Sequence, residues 1–217
     1  MTALSRTRLW MELLALFVGV PVLMTVFIDA LLRNRGLFSI IWIMAVVALV
    51  LLWRRPGWRV ATLWRGPVLG EWRVILSFAV VTGLACLGFV FALHPESFLE
   101  IYTHRPGLWT VIMIGYPLVS ALPQEVIFRS LFFERYGVLF GGAWAQIVAN
   151  GVIFGIGHLF YMNPVTIAMT AAGGAIMGWA YMPHRSMLLA WVLHALAGQL
   201  IFTIGLGSHF YHGAIGH

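Results

Sequence analysis

The chain has 217 residues, of which 61% are hydrophobic and only 9% are charged, and its formal net charge is +6 at pH 7. A typical soluble domain is about half apolar and about a quarter charged, and a soluble fold cannot bury this much apolar surface. The composition therefore excludes a soluble enzyme, a disordered chain and a nucleic-acid-binding module with a charged face. It predicts an integral membrane protein.

Apolar runs long enough to cross a bilayer follow one another along the chain. Since a membrane helix needs about 20 apolar residues, they predict an all-α, polytopic transmembrane helix bundle of about seven spans, within a range of roughly six to eight. The range allows for prolines that can break the fourth run. The first run is too long for the apolar core of a cleavable signal peptide. The predicted spans are Leu9–Leu32, Leu37–Trp53, Val74–Leu93, Leu108–Tyr136, Ala143–Met162, Pro164–Pro183 and Met187–Leu206.

Arginine supplies all the basic residues apart from histidine, and most arginines lie in links that fall on one side of a seven-span chain. Such an excess marks the cytoplasmic side of a membrane protein, which favours loop charge over a nucleic-acid surface. The pattern predicts a cytoplasmic N-terminus and an outside C-terminus, although Arg33 and Arg35 break it. The arginines on the predicted cytoplasmic side are Arg6, Arg8, Arg54, Arg55, Arg59, Arg65, Arg73, Arg135 and Arg185.

Ionisable side chains within apolar spans are candidates for function, because they are costly to place in a membrane. Four such residues are Glu125, Arg129, His158 and His194. Glu125 and Arg129 are four residues apart and share a helix face. This spacing fits either a structural ion pair or part of a site.

A line of polar side chains leads up to His158. Counting back from it in fours gives Phe154, Asn150 and Gln146, which predicts one helix face with polar and aromatic groups. A face of this kind must contact protein or water rather than lipid. With Glu125 and His194 on other spans, the pattern predicts a buried polar pocket.

These residues together resemble the CPBP intramembrane protease family. The resemblance rests on a glutamate followed by an arginine four residues later, then Phe-x-x-x-His, then a second histidine near the end of the chain. The segment 128–137 is also similar to the family's sequence. Members include CAAX prenyl endopeptidases and bacterial relatives linked to bacteriocin self-immunity. The resemblance implies a protease-like transmembrane core at 108–206, N-terminal helices with an arginine-rich cytoplasmic loop at 1–107, and a short tail at 207–217.

The resemblance implies an intramembrane endopeptidase of a bacterial plasma membrane that acts on a membrane-held protein or lipopeptide. In that mechanism a carboxylate and His158 activate water, and His194 polarises the scissile carbonyl or stabilises the oxyanion. Supporting roles fall to Arg129, Phe154 and Asn150. Zinc held by Glu125, His158 and His194 is the alternative, in line with the older metalloprotease label. The family's better-understood members favour a metal-free glutamate mechanism, so no cofactor is expected.

Two positions depart from the family pattern. Gln124 stands where the family carries the first of two adjacent glutamates, the one taken to activate water, and Gly198 stands where it carries Asn or Asp. A glutamine cannot accept a proton, and Glu125 paired with an arginine is a weak base. Three explanations are open: Glu125 performs both tasks, the protein is catalytically weak, or Gln124 is an introduced, inactivating change. Asn150 or Gln199 could replace the amide that is missing at 198.

Other classes of function remain alternatives. A catalytically impaired member that acts as a peptide-binding or immunity protein is favoured by Gln124 and Gly198. A small transporter is a third class, but the sequence shows no internal repeat of the kind many transporters have. The histidines of the C-terminal tail fit a solvated loop better than a metal-binding tail. They are His209, His212 and His217.

Overall fold

A computed structural model describes residues 3–33 and 36–210. Their regular structure is entirely helical, which confirms the predicted all-α class for the described chain. The α-helices are α1 (Ala3–Leu14), α2 (Val20–Val26), α3 (Ile28–Arg33), α4 (Gly36–Trp53), α5 (Trp72–Leu93), α6 (Glu100–His104), α7 (Pro106–Gly115), α8 (Leu122–Glu125), α9 (Ala143–Ile156), α10 (Pro164–Tyr181), α11 (Met187–Ile204) and α12 (Gly207–Phe210). The π-helical segments are Ala15–Gly19, Tyr116–Ala121 and Val126–Tyr136. Short 3₁₀ turns occur at Val60–Trp64, Leu69–Glu71, Pro95–Ser97, Gly137–Leu139 and Leu159–Tyr161.

Within the described chain, 6 helical stretches are long and apolar enough to cross a membrane. The protein is therefore an integral membrane protein of the polytopic helical class, within the predicted range of spans. The sixth predicted span, Pro164–Pro183, is present as the helix α10, which is not one of the six stretches. The six stretches are Ser5–Val26, Gly36–Trp53, Val60–Leu93, Pro106–Leu139, Ala143–Tyr161 and Met187–Ile204.

The stretch 106–139 alternates between α-helix and π-helix, and tryptophans from two neighbouring helices hold it in place. Pro123 has no N–H, so the carbonyl of Val119, four residues earlier, lacks its usual partner. The indole of Trp42 on α4 donates to that oxygen at 3.1 Å. On the other side, Trp191 of α11 donates to the carbonyl oxygen of Pro117 at 2.7 Å. These two bonds fix the π-helical segment that carries part of the candidate site.

Glycines allow α9 and α10 to pack closely. A β-carbon at Gly151 would lie 2.8 Å from the carbonyl oxygen of Ala171, and one at Gly174 would lie 2.6 Å from the Phe154 Cβ atom. Small residues of this kind let helix backbones approach each other in membranes. The close contact presses Phe154 of α9 into the centre of the bundle, where it is 2% exposed.

Ion pairs collect at one end of the bundle. Arg135 Nη2 lies 2.6 Å from Glu12 Oε2. Glu134 pairs with Arg55 at 3.3 Å and with Arg185 at 3.9 Å. These arginines all belong to the links predicted to be cytoplasmic, so the structure brings those links to one end of the molecule.

The C-terminal helix α12 lies at the opposite end. His209 Nδ1 lies 3.0 Å from Asn163 Nδ2, and the His209 ring is 5.5 Å from the ring of His94. Burial, together with the nearby His94, lowers the pKa of His209. The prediction of a solvated loop is therefore wrong for His209, because it packs against protein. His212 and His217 lie outside the described residues.

Candidate active site

A cavity of about 390 Å³ opens between α4, α7 and the turn that follows α9. Its wall is mostly apolar, and its rim includes Phe38 and Val111, which are 52% and 67% exposed on the face that meets lipid. An apolar cavity with a few polar groups is typical of a ligand-binding site. The polar side chains of the wall are Tyr116, Ser120, Gln124, His158 and Tyr161.

Gln124 faces this cavity, whereas its neighbour Glu125 does not belong to the wall. The Gln124 Nε2 atom donates to Ser120 Oγ at 3.0 Å. Glu125 is 0% exposed. Its Oε1 lies 2.7 Å from His194 Nδ1, and its Oε2 lies 3.1 Å from Arg129 Nε. Because its side chain is fully buried behind the wall, Glu125 presents no oxygen to the cavity.

Arg129 connects the buried groups behind the cavity. The ion pair with Glu125 that the four-residue spacing predicted is present, and both side chains are 0% exposed. Arg129 Nη1 also donates to Asn150 Oδ1 at 2.7 Å, and its guanidinium lies 4.8 Å from the ring centroid of Phe154. Asn150 in turn donates to the carbonyl oxygen of Phe128 at 2.6 Å. Because both ends of its amide are engaged, Asn150 is not available to a substrate.

His158 reaches the cavity from a position just beyond α9. The predicted continuation of the helix face to His158 is wrong, because α9 ends at Ile156 and glycines at 155 and 157 disfavour a longer helix. His158 Nδ1 lies 2.7 Å from the carbonyl oxygen of Phe154. A carbonyl only accepts, so Nδ1 carries the proton and Nε2 of the neutral ring holds a lone pair.

Phe154 lies between the two predicted histidines. The ring centroids of Phe154 and His158 are 4.7 Å apart, and those of Phe154 and His194 are 5.4 Å apart. Through Glu125, which contacts His194, the structure brings the three predicted reactive groups into one cluster. In this cluster His158 lines the cavity, while His194 is 4% exposed.

Sequence reasoning missed Tyr116 and Ser120. They precede Gln124 by eight and four residues, and this helical spacing was the signal available in the sequence. Gly198, the second departure from the family pattern, lies beneath Tyr116, because a β-carbon at 198 would overlap the tyrosine ring. Gln199 does not replace the missing amide in this structure, since its Nε2 donates to the carbonyl oxygen of Met113 at 2.9 Å.

The predicted zinc ligands do not fit a zinc site as they stand. Both oxygens of Glu125 lie against other groups, Oε2 3.1 Å from Arg129 Nε and Oε1 2.7 Å from His194 Nδ1. The guanidinium of Arg129 would also repel a cation placed beside Glu125. Within 3–33 and 36–210, no group of three or more potential ligands could hold a metal ion.

The fold and the site define a polytopic helical membrane protein with a protease-like cluster of buried polar groups next to a lipid-facing cavity. Residues 105–198 match the family model described as type II CAAX prenyl endopeptidase Rce1-like. This match confirms the resemblance drawn from the three motifs, since the segment is similar to the CAAX-type prenyl endopeptidases. No curated protein and no solved structure matches the chain.

Proposed function

We propose that the protein is an intramembrane endopeptidase that cleaves a membrane-held protein or lipopeptide inside the cavity. The observation that carries the proposal is His158, a neutral imidazole with a lone pair on Nε2 at the wall of an apolar cavity. The apolar wall and the lipid-facing rim favour a substrate with a lipid or membrane segment, since such a segment can enter from the bilayer without exposing its apolar surface to water. The match to the endopeptidase family supports a peptide bond as the bond that is cleaved.

In the proposed reaction His158 acts as the general base. Its Nε2 removes a proton from a water molecule that the Gln124 amide holds, and the water oxygen attacks the scissile carbonyl carbon. The C–N bond then breaks, and the proton passes from His158 to the leaving nitrogen. Glu125, itself paired with Arg129, holds the ring of His194 behind the wall, where it packs against Tyr116 and Phe154. The mechanism uses no metal, because Glu125 is paired with Arg129, whose guanidinium would repel a cation placed there.

A cleavage assay with the purified protein in lipid vesicles tests the proposal. The candidate substrates are peptides that carry a prenylated cysteine, a diacylated cysteine or a single membrane segment, and mass spectrometry detects the products. We expect His158→Gln to reduce turnover on the order of 10²–10⁴-fold, as removal of a general base does, and a metal chelator to leave it unchanged. His184→Gln is the matched control, since that histidine pairs with Glu71 at the surface.

Three results would overturn this mechanism. The first is the absence of cleavage for all three kinds of peptide, and the second is loss of activity on chelation that zinc restores. The third is a His158→Gln variant that cleaves at the wild-type rate, which would show that His158 is not the general base.

A peptide-binding or immunity protein without catalysis is the second candidate function. Gln124 favours it, because a carboxamide that cannot accept a proton faces the cavity where the family carries its water-activating glutamate. Tight binding of the same peptides without product, in the wild-type protein and in Gln124→Glu, would establish this function.

A further inference from the structure

The ring of Tyr116 lies against a face of α11 that is shaped to receive it. The ring centroid is 5.9 Å from that of His194 and 5.8 Å from that of Phe202. Gly198 lies midway between these two residues, four positions from each, on the same helix face. A β-carbon at 198 would overlap the Tyr116 ring, so the ring occupies its place because residue 198 has no side chain.

The hydroxyl group of Tyr116 is available to a ligand. Tyr116 lines the cavity, and within the described residues its hydroxyl has no hydrogen-bond partner and is not one of the fully enclosed polar atoms. Gln124 and His158, also in the wall, each have one polar atom bonded to protein: Gln124 Nε2 donates to Ser120, and His158 Nδ1 donates to a carbonyl. A hydroxyl that reaches an apolar cavity without a partner is unfavourable unless a bound molecule supplies one.

We propose that Tyr116 donates a hydrogen bond to the carbonyl oxygen of the peptide bond that is cleaved in this cavity, an inference that rests on the proposed endopeptidase function. A phenol is a good donor, and the carbonyl oxygen gains negative charge as water adds to its carbon. The bond is therefore stronger in the transition state than in the bound substrate, which lowers the barrier. Tyr116 transfers no proton in this step, and His194 supports its ring from the side.

The test is Tyr116→Phe, which keeps the ring against His194 and above Gly198 and removes only the hydroxyl. We expect kcat to fall on the order of 10²–10³-fold, as it does when one oxyanion donor is lost, with KM and the thermal midpoint close to wild type. Tyr102→Phe is the matched control, because that tyrosine is 48% exposed and contacts Trp109 away from the cavity. A Tyr116→Phe variant that cleaves as fast as the wild type would overturn the inference.

A binding measurement keeps this inference separate from the proposed function. A peptide with a phosphinate in place of the scissile amide carries the negative oxygen without needing turnover. Since a hydrogen bond to a charged group is lost, Tyr116→Phe should bind this peptide on the order of tenfold to a hundredfold more weakly than the wild type. The wild type could cleave no peptide and still bind the phosphinate peptide more tightly than Tyr116→Phe does. In that case the proposed function fails and the role of Tyr116 stands. Equal binding by both proteins, including no binding, overturns the role of Tyr116.

Discussion

At the scale of single residues, the neighbours Gln124 and Glu125 have different surroundings. Successive residues of a helix point about 100° apart, so one can face a cavity while the next is buried. Gln124 contacts Ser120 in the cavity wall, and Glu125 contacts Arg129 and His194 behind it. Glu125 therefore links its own helix to α11 behind the wall, and position 124 faces the cavity.

Gln124→Glu should therefore raise turnover. The new carboxylate would face the cavity that His158 also lines, and the Ser120 hydroxyl can donate to it as readily as it now accepts from the amide. A well-placed general base contributes on the order of 10²–10⁴ in rate, so kcat measured on the best peptide should increase by a large part of that factor. An unchanged kcat in a variant that melts at the wild-type temperature would show that position 124 does not limit the reaction.

Glu125→Gln should abolish activity and destabilise the fold. It leaves the Arg129 guanidinium buried without a counter-charge, which costs about 3–5 kcal/mol. Thermal unfolding in detergent measures the loss. Arg8→Gln is the control, since it breaks the ion pair with Glu12 at the same spacing with Arg8 76% exposed, and exposed pairs contribute about 0–1 kcal/mol. Equal effects of the two changes would contradict a structural role for the buried pair.

The sequence predicted the ionisable residues of the site but not the other polar side chains. Glu125, Arg129, His158 and His194 stand out because charge is rare in apolar spans. Tyr116 does not stand out, because a tyrosine within a membrane helix is ordinary and its task depends on contacts with α11, far away in the chain. The sequence also does not tell which of two adjacent residues faces the cavity, since that depends on how the helix is rotated in the bundle.

At the scale of elements, the contact between α9 and α10 positions the centre of the site. Gly174 of α10 lies directly against Phe154, the residue between the two histidines. The small residues of α10 lower its hydropathy, yet they are what allows it to approach α9. The small residues that lower the hydropathy of α10 therefore also allow the close packing of α10 against Phe154.

Gly174→Ala should destabilise the protein and lower its activity, while Gly173→Ala should do neither. A β-carbon at 174 would lie 2.6 Å from Phe154 Cβ, whereas at 173 the nearest atom is Met177 Cε at 3.8 Å. Overpacking costs about 1–3 kcal/mol, and alanine in a helix gains up to about 1 kcal/mol over glycine. Thermal midpoints and cleavage rates of the two variants check this, and equal midpoints would contradict the packing argument.

Two π-helical segments make the spacing of residues along the chain a poor guide to which side chains share a helix face. Counting in fours assumes α-helical hydrogen bonds, but Tyr116–Ala121 and Val126–Tyr136 are π-helical. Their i to i+5 bonds shift the register of every residue that follows. The pairing of Glu125 with Arg129 was predictable in spite of this, because four residues still bring two long side chains within reach.

At the scale of the whole molecule, the cavity and the arginine-rich links lie at different ends of the bundle. The cavity wall includes Leu37 and Leu108 near the starts of their helices, and Phe210 beyond the end of α11. The ion pairs of Arg55, Arg135 and Arg185 lie at the other ends of those helices. If the arginine-rich end is cytoplasmic, as the positive-inside rule predicts, the cavity opens toward the outer leaflet.

Cysteine labelling tests this orientation. The single native cysteine, Cys86, is 2% exposed and gives little background. We expect Leu69→Cys, in the arginine-rich link and 90% exposed, to react with a membrane-impermeant reagent only after the cytoplasmic side is opened. Glu96→Cys, in the link after α5 and with a side chain 72% exposed, should react in intact cells, as should a cysteine at 208. Reaction of residues 69 and 96 from the same side would mean that the number of crossings between them is even.

The same orientation predicts the side from which substrate enters. A lipid-anchored peptide inserts into the leaflet to which it is added, and its anchor does not cross the bilayer readily because its polar peptide resists transfer through the apolar core. Vesicles that contain the protein in one orientation, sorted by the labelling of residues 69 and 96, should therefore cleave the peptide when it is added on the side of residue 96. Faster cleavage from the side of residue 69 would show that the cavity admits substrate past the arginine-rich links. The exposed rim at Phe38 and Val111 would then not be the entrance.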